Sequence, residues 1–207
     1  MRIRPIPPDE LNPRLREVHD GIAGLVTEEQ GRVVILDDDG ALVGPFAAML
    51  HFPTFGVPAL FLQRAVAAEA RLDPIVREVA ILTVGGAYGA RYLLYAHEQT
   101  ADGVGLAAAQ IATLAVGGRP SGLSDEQAIA HDVAMALTSG RILPDSTYDR
   151  ATQLLGRDGV GELVFLIGSY CLIAMVLNCF DVPVPDQGQS NVKHENPAGR
   201  RGEVHNG

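Results

Sequence analysis

The chain has 207 residues, of which 47% are hydrophobic and 20% charged, with a formal net charge of −9. That length suits one domain with a full core, and the low charge suits packed helices or a chain that hides further surface in an oligomer. Lys and Arg are scattered singly and no basic stripe alternates with aromatics, so nucleic acid is not an expected partner.

The opening MRIRPIPPDEL has no apolar core and does not read as a signal peptide. Residues 9–23 read as an amphipathic helix, with Leu11, Leu15, Val18 and Ile22 at helical spacing. RVVILDDDGALVGP then reads as a small β-hairpin turning on Asp39 and Gly40. From Pro45 the signals are helical almost without a gap. PFAAMLH is a short helix stopped by Pro53, and 57–71 form the next. In DPIVREVAILTVGGAYGA, Asp73 caps a helix and Pro74 takes its first position. Further helices are expected at 90–103, 106–116, 124–139, 145–155 and 159–180, with Ser124 and Gln127 forming a capping box. The fold class is therefore all-α with one small N-terminal β-hairpin, a single domain over residues 1–185. Residues 186–207 are polar and aperiodic and should be disordered or an extended arm.

The segment LVFLIGSYCLIAMVLNCF, residues 163–180, touches the lower limit for a membrane span. It contains Ser169, Tyr170 and Asn178, is flanked by Glu162 and Asp181, and lacks positive charge at either end. A central buried helix, covered partly by a neighbouring subunit, is the reading adopted, with no membrane partner. Cys171 and Cys179 would lie about 12 Å apart on a helix, too far for a mutual disulfide. They read as buried thiols of a reducing compartment, so a cytoplasmic location is expected.

P-loop, dinucleotide-binding, HExxH and CxxC signatures are all missing from the chain. HEQTA at 97–101 starts like a zinc helix, but Ala101 stands where a second histidine is needed, so no metal site is expected. What remains is one acid and one histidine on apolar ground. Glu78 lies in REVAILTVGG, where Ile75, Val79 and Leu82 share its face. His97 shares a face with Leu93, Leu94 and Ala101. Taken singly, Glu78 reads equally as a first-turn charge favoured by the helix dipole, and His97 as a core residue with one backbone partner.

The stretch DGALVGPFAAMLHFP…REVAILTVGGAYGARYLLYAHEQTADGVGL, with the ending GSYCLIAMVLNCFDVPVP, resembles the carboxymuconolactone decarboxylase and alkylhydroperoxidase D superfamily over most of residues 38–185. The peroxidase branch carries Glu, eleven residues, Cys, two residues, Cys, three residues, His. Here Glu78 and His97 keep that spacing, while Ala90 and Leu93 occupy the two cysteine positions. The decarboxylase-like branch often has Tyr-Glu-Trp ahead of the His, where this chain has Tyr92, Leu93 and Leu94. The resemblance thus implies an alkylhydroperoxidase D-like helical bundle of the decarboxylase-like branch, and not a thiol peroxidase, which needs a thiolate and a resolving thiol. The pocket is greasier than the family norm, so a small tricarboxylate-like lactone is a poor guess for its substrate.

On that resemblance His97 and Glu78 are the expected catalytic pair, moving a proton beside the carbonyl of a fairly apolar carbonyl or lactone substrate. Decarboxylation, isomerisation, lyase and cyclisation steps all fit, and no cofactor is implied. Tyr88, Arg91, Tyr92 and Tyr95 cluster near the same helix, and Tyr92 or Tyr95 could serve a developing oxyanion while Arg91 holds an acidic group. His51 matches a position where relatives of this length often keep a histidine, and Tyr170 is a further substrate-binding residue. Relatives form trimers and hexamers, so a homo-oligomer (dimer, trimer or hexamer) is expected. The competing reading is a non-catalytic ligand-binding or assembly protein that retains the fold.

Overall fold

The computed structural model describes residues 1–29 and 33–185, and within them the protein is an all-α bundle. A single 3-10 turn, Pro8–Glu10, precedes α1 (Pro13–Glu29), α2 (Pro45–His51), α3 (Pro53–Ala68), α4 (Pro74–Tyr88), α5 (Arg91–Gly103), α6 (Ala108–Ala115), α7 (Asp125–Thr138) and α8 (Asp145–Cys179). The expected tail, 186–207, lies outside the described residues.

Helix α4 is the axis of the molecule. Asp73 accepts a hydrogen bond from the Ile75 amide at 2.8 Å, and Pro74 starts the helix where no N–H is required. Beyond its first turn α4 is apolar nearly all round, as a helix enclosed by others must be. Ala80, Ile81 and Val84 pack into the main core with α7 and α8, while Val79 and Leu82 join Ala101, Leu106 and Leu114 on the α5–α6 side. Each fully buried leucine or valine of this kind contributes about 1.5–3 kcal/mol. A third cluster, Ile22, Leu42 and Leu50, seats α1 and α2.

Among the described residues the expected N-terminal β-hairpin is not seen, which corrects that reading. Its turn is present: Gly40 takes φ 74°, and Asp37 accepts from the amides of Asp39 and Ala41. Pairing stops at one isolated antiparallel bridge between Leu36 and Leu42. The returning arm has no room to extend, because Pro45 opens α2 only three residues after Leu42 and offers no amide to a ladder. His19 fastens the turn to α1 through its Nε2, 2.8 Å from the Gly40 carbonyl.

The two C-terminal helices expected at 145–155 and 159–180 run together as α8, broken at Gly156, whose left-handed backbone (φ 71°) interrupts the helical geometry. By length and composition α8 is apolar enough to cross a membrane, and 44% of its most apolar window is buried within the chain. Leu163, Leu166, Ile167, Ile173 and Leu177 face inward, whereas Phe165 and Met175 are 66% and 51% exposed. Both cysteines are free thiols, Cys171 partly buried and Cys179 exposed.

Candidate functional site

Glu78 and His97 meet because α4 and α5 are consecutive and nearly continuous in sequence. Gly89, left-handed at φ 58°, ends α4 and reverses the chain in two residues. Glu78, one turn into α4, is therefore brought alongside His97 in the second turn of α5. The distance between Glu78 Oε2 and His97 Nδ1 is 2.9 Å, and the two side chains are only 9% and 18% exposed.

Both line a pocket of about 330 Å³ bounded by α2, α3, α4, α5, α8 and the 33–35 segment. Most of its wall is apolar: Phe46, Met49, Ile81, Leu93 and Ile173 contribute. Tyr170, from α8, sets its ring at 88° to the His97 imidazole with centroids 4.9 Å apart. Burial, and then the charge of Glu78, push the Tyr170 hydroxyl well above the usual phenol range, against an opposing effect of Arg77. Tyr170 is thus held as a neutral phenol, a hydrogen-bond donor.

Tyr92 also lines the pocket, but its hydroxyl donates to the Val34 carbonyl at 2.8 Å and so fastens the 33–35 segment. Burial raises its pKa in turn. The other expected substrate contacts sit elsewhere. His51 places Nε2 2.8 Å from the Arg4 carbonyl, on the outer side of α2. Arg91 is exposed and paired with Asp181 at 3.2 Å. Tyr95 packs its ring against Tyr92 at 5.8 Å and does not border the pocket. Tyr88, ten residues beyond Glu78, packs on the main core. On α5 the residues that face the pocket are Tyr92, Leu93, Ala96, His97 and Thr100. Measured from Thr100, in the middle of that face, Arg91 and Tyr95 lie about 180° and 140° around the helix, which turns them away.

Three polar residues of the wall were not singled out from the sequence as pocket contacts. Arg77 approaches Glu162 at 3.7 Å, and that carboxylate also accepts from the amides of Arg71 and Leu72. Gln63, on α3, has its Nε2 buried with no hydrogen-bond partner among the described residues. Thr100 donates its hydroxyl to the Ala96 carbonyl. Only assembly of α3 against α2 and α8 brings Gln63 to the wall, and no local motif announces that. Neither cysteine lines the pocket, and burial pushes the Cys171 thiol up, with Tyr88 opposing. No group of three or more metal-ligating side chains is found among the described residues.

No protein-family model and no curated protein matches the chain. Solved structures do. A cysteine-to-alanine variant of the debrominase Bmp8, in complex with 2,3,4-tribromopyrrole, superposes with a TM-score of 0.67 at 15% identity, over 89% of this chain and 92% of that one. Apo Bmp8 gives 0.63 at 15% identity, over 84% and 87%. At that identity the likeness is one of fold.

Proposed function

We propose that the chain is a cofactor-independent enzyme of the carboxymuconolactone decarboxylase-like branch of this fold, moving a proton beside the carbonyl of a small, apolar ketone or lactone. The observation that carries this reading is the 2.9 Å contact of Glu78 with His97 at the wall of an apolar pocket. An ionised carboxylate only accepts, so His97 donates through Nδ1, and the tautomer that results presents the lone pair of Nε2. Among the described residues no hydrogen bond engages Nε2. It is the base.

A substrate C–H adjacent to a carbonyl gives its proton to Nε2. The imidazolium that forms is stabilised by Glu78, and the enolate oxygen that develops is received by the hydroxyl of Tyr170. Return of the proton from Nε2 to a second carbon or to a leaving group completes isomerisation or elimination. The known likeness to a debrominase supports an enzymatic use of the fold, although a cysteine-based reaction finds no thiol here. The direct test is solvent-deuterium exchange into an unsaturated γ-lactone, followed by proton NMR. Exchange above the buffer rate that is lost in His97→Gln supports the reading. Ligand binding without exchange would favour the non-catalytic alternative.

We also propose that the protein is a homo-oligomer. Phe55 and Phe61 of α3 and Phe165 and Met175 of α8 are more than half exposed in the isolated chain, and contact with a second copy would take such side chains out of water.

A further inference from the structure

Three buried side-chain atoms have no hydrogen-bond partner among the described residues: Gln63 Nε2, His131 Nε2 and Thr152 Oγ1. The last two belong to α7 and α8 outside the pocket, whereas Gln63 is part of its wall. An amide nitrogen buried without an acceptor destabilises the free protein, and nothing in α3 requires it. Its neighbours Leu60, Leu62 and Val66 are apolar, so an apolar side chain would complete this part of the helix without that cost. The amide is left to meet something that enters the pocket. Its terminal torsion is broad and nearly two-fold, so it turns towards a ligand without disturbing α3.

The remaining polar groups define what that ligand is. The hydroxyls of Tyr92 and Thr100 are committed to backbone carbonyls, which leaves the Gln63 amide and the Tyr170 hydroxyl as donors. Arg77 is the guanidinium at the wall, and it is already paired with Glu162 at 3.7 Å, while the Glu78 carboxyl also lines the pocket. A carboxylate ligand would be repelled and would have to shed its water for no free cation. A neutral carbonyl meets neither cost.

We propose that Gln63 is a specificity-determining contact, donating Nε2–H to the oxygen of an uncharged, largely apolar ketone, ester or lactone, and that the pocket discriminates against carboxylates. This rests on reading the pocket as a carbonyl-processing site. Three planar probes of nearly equal shape separate the possibilities in a fluorine NMR titration of the intact protein: para-fluoroacetophenone, its alkene isostere para-fluoro-α-methylstyrene, and para-fluorobenzoate. The ketone should bind about three- to tenfold more tightly than the alkene, the span expected for one neutral hydrogen bond, and benzoate most weakly. Gln63→Met keeps the volume and removes the donor. It should lower the ketone affinity by about three- to tenfold, leave the alkene within about twofold, and leave Tm unchanged or raised. Unchanged ketone affinity in Gln63→Met overturns the proposal. So does a joint loss of Tm and of both affinities, which would make Gln63 a structural wall, and so does benzoate binding as tightly as the ketone or failure of all three to bind. Ketone binding that depends on Gln63, in a protein that catalyses no deuterium exchange, supports this proposal while sinking the acid–base reading alone.

Discussion

Glu78 holds Nδ1 of His97 at 2.9 Å across a separation of nineteen residues, and so decides which imidazole nitrogen faces the pocket. A glutamine at position 78 would offer an amide in place of a charge, weakening both the tautomer preference and the stabilisation of an imidazolium. His97→Gln should leave the circular dichroism spectrum near that of the parent and lower turnover by about 10²–10⁴. Glu78→Gln should behave similarly. The double variant should be little worse than the worse single one, because the two act as a unit. A folded His97→Gln protein that retains full exchange activity would remove His97 from the mechanism.

Dithiol-supported reduction of a hydroperoxide should not exceed the buffer background. Cys171 and Cys179 both lie outside the pocket, and burial disfavours the Cys171 thiolate. Robust turnover that disappears in Cys171→Ser or Cys179→Ser would contradict this.

The oligomer should be visible by light scattering as a mass above the 22.0 kDa of one chain at micromolar concentration. Phe165→Glu, a charge placed in the exposed apolar face of α8, should shift the protein towards the monomer. A parent protein that scatters as a monomer would argue against assembly.

Alkaline stability should depend on Tyr170. Its folded-state pKa is raised by burial and by Glu78, so its contribution is intact below the unfolded value, about 10, and is lost as pH rises towards the folded one. Thermal melts of the parent should therefore fall in Tm above about pH 10, and Tyr170→Phe should flatten that fall. Equal alkaline slopes in the two proteins would assign the sensitivity to other groups.

Gly86 is where α4 and the end of α6 touch backbone to backbone. A Cβ there would collide with the Leu114 carbonyl oxygen and lie 2.9 Å from the Gly117 amide. Gly86→Ala should cost about 1–3 kcal/mol, measurable by urea denaturation. A variant as stable as the parent would show that this contact yields.

What the sequence discloses about the molecule divides along physical lines. Helix ends were legible where a cap writes them: Asp73 and Pro74 for α4, Ser124 with Gln127 for α7, whose reciprocal hydrogen bonds are 3.2 and 3.0 Å. The weak point of α8 near Gly156 was legible as a gap in the periodicity. The hairpin was not, because alternation and a turn say nothing of whether the second arm has length enough to pair. The apolar face of α5 placed His97 inward, but the rotation that separates Tyr92 from Tyr95 depends on which neighbours pack there. Tyr170 came from its polarity within an apolar helix. Gln63 gave no such contrast on the partly exposed α3, and only the unmet amide reveals it.

The two-residue reversal at Gly89 and Ala90 has a bearing on the order of events in folding. Glu78 and His97 sit on neighbouring arms of one short helical hairpin, so their encounter closes a small loop and costs little chain entropy. Tyr170 reaches the same cavity from α8, far along the chain from both, and must wait for the slower long-range packing. The dyad should therefore be assembled while the cavity is still open to water. The surrounding walls, which set what may enter, would be the last part of the site to arrive and the first to come apart.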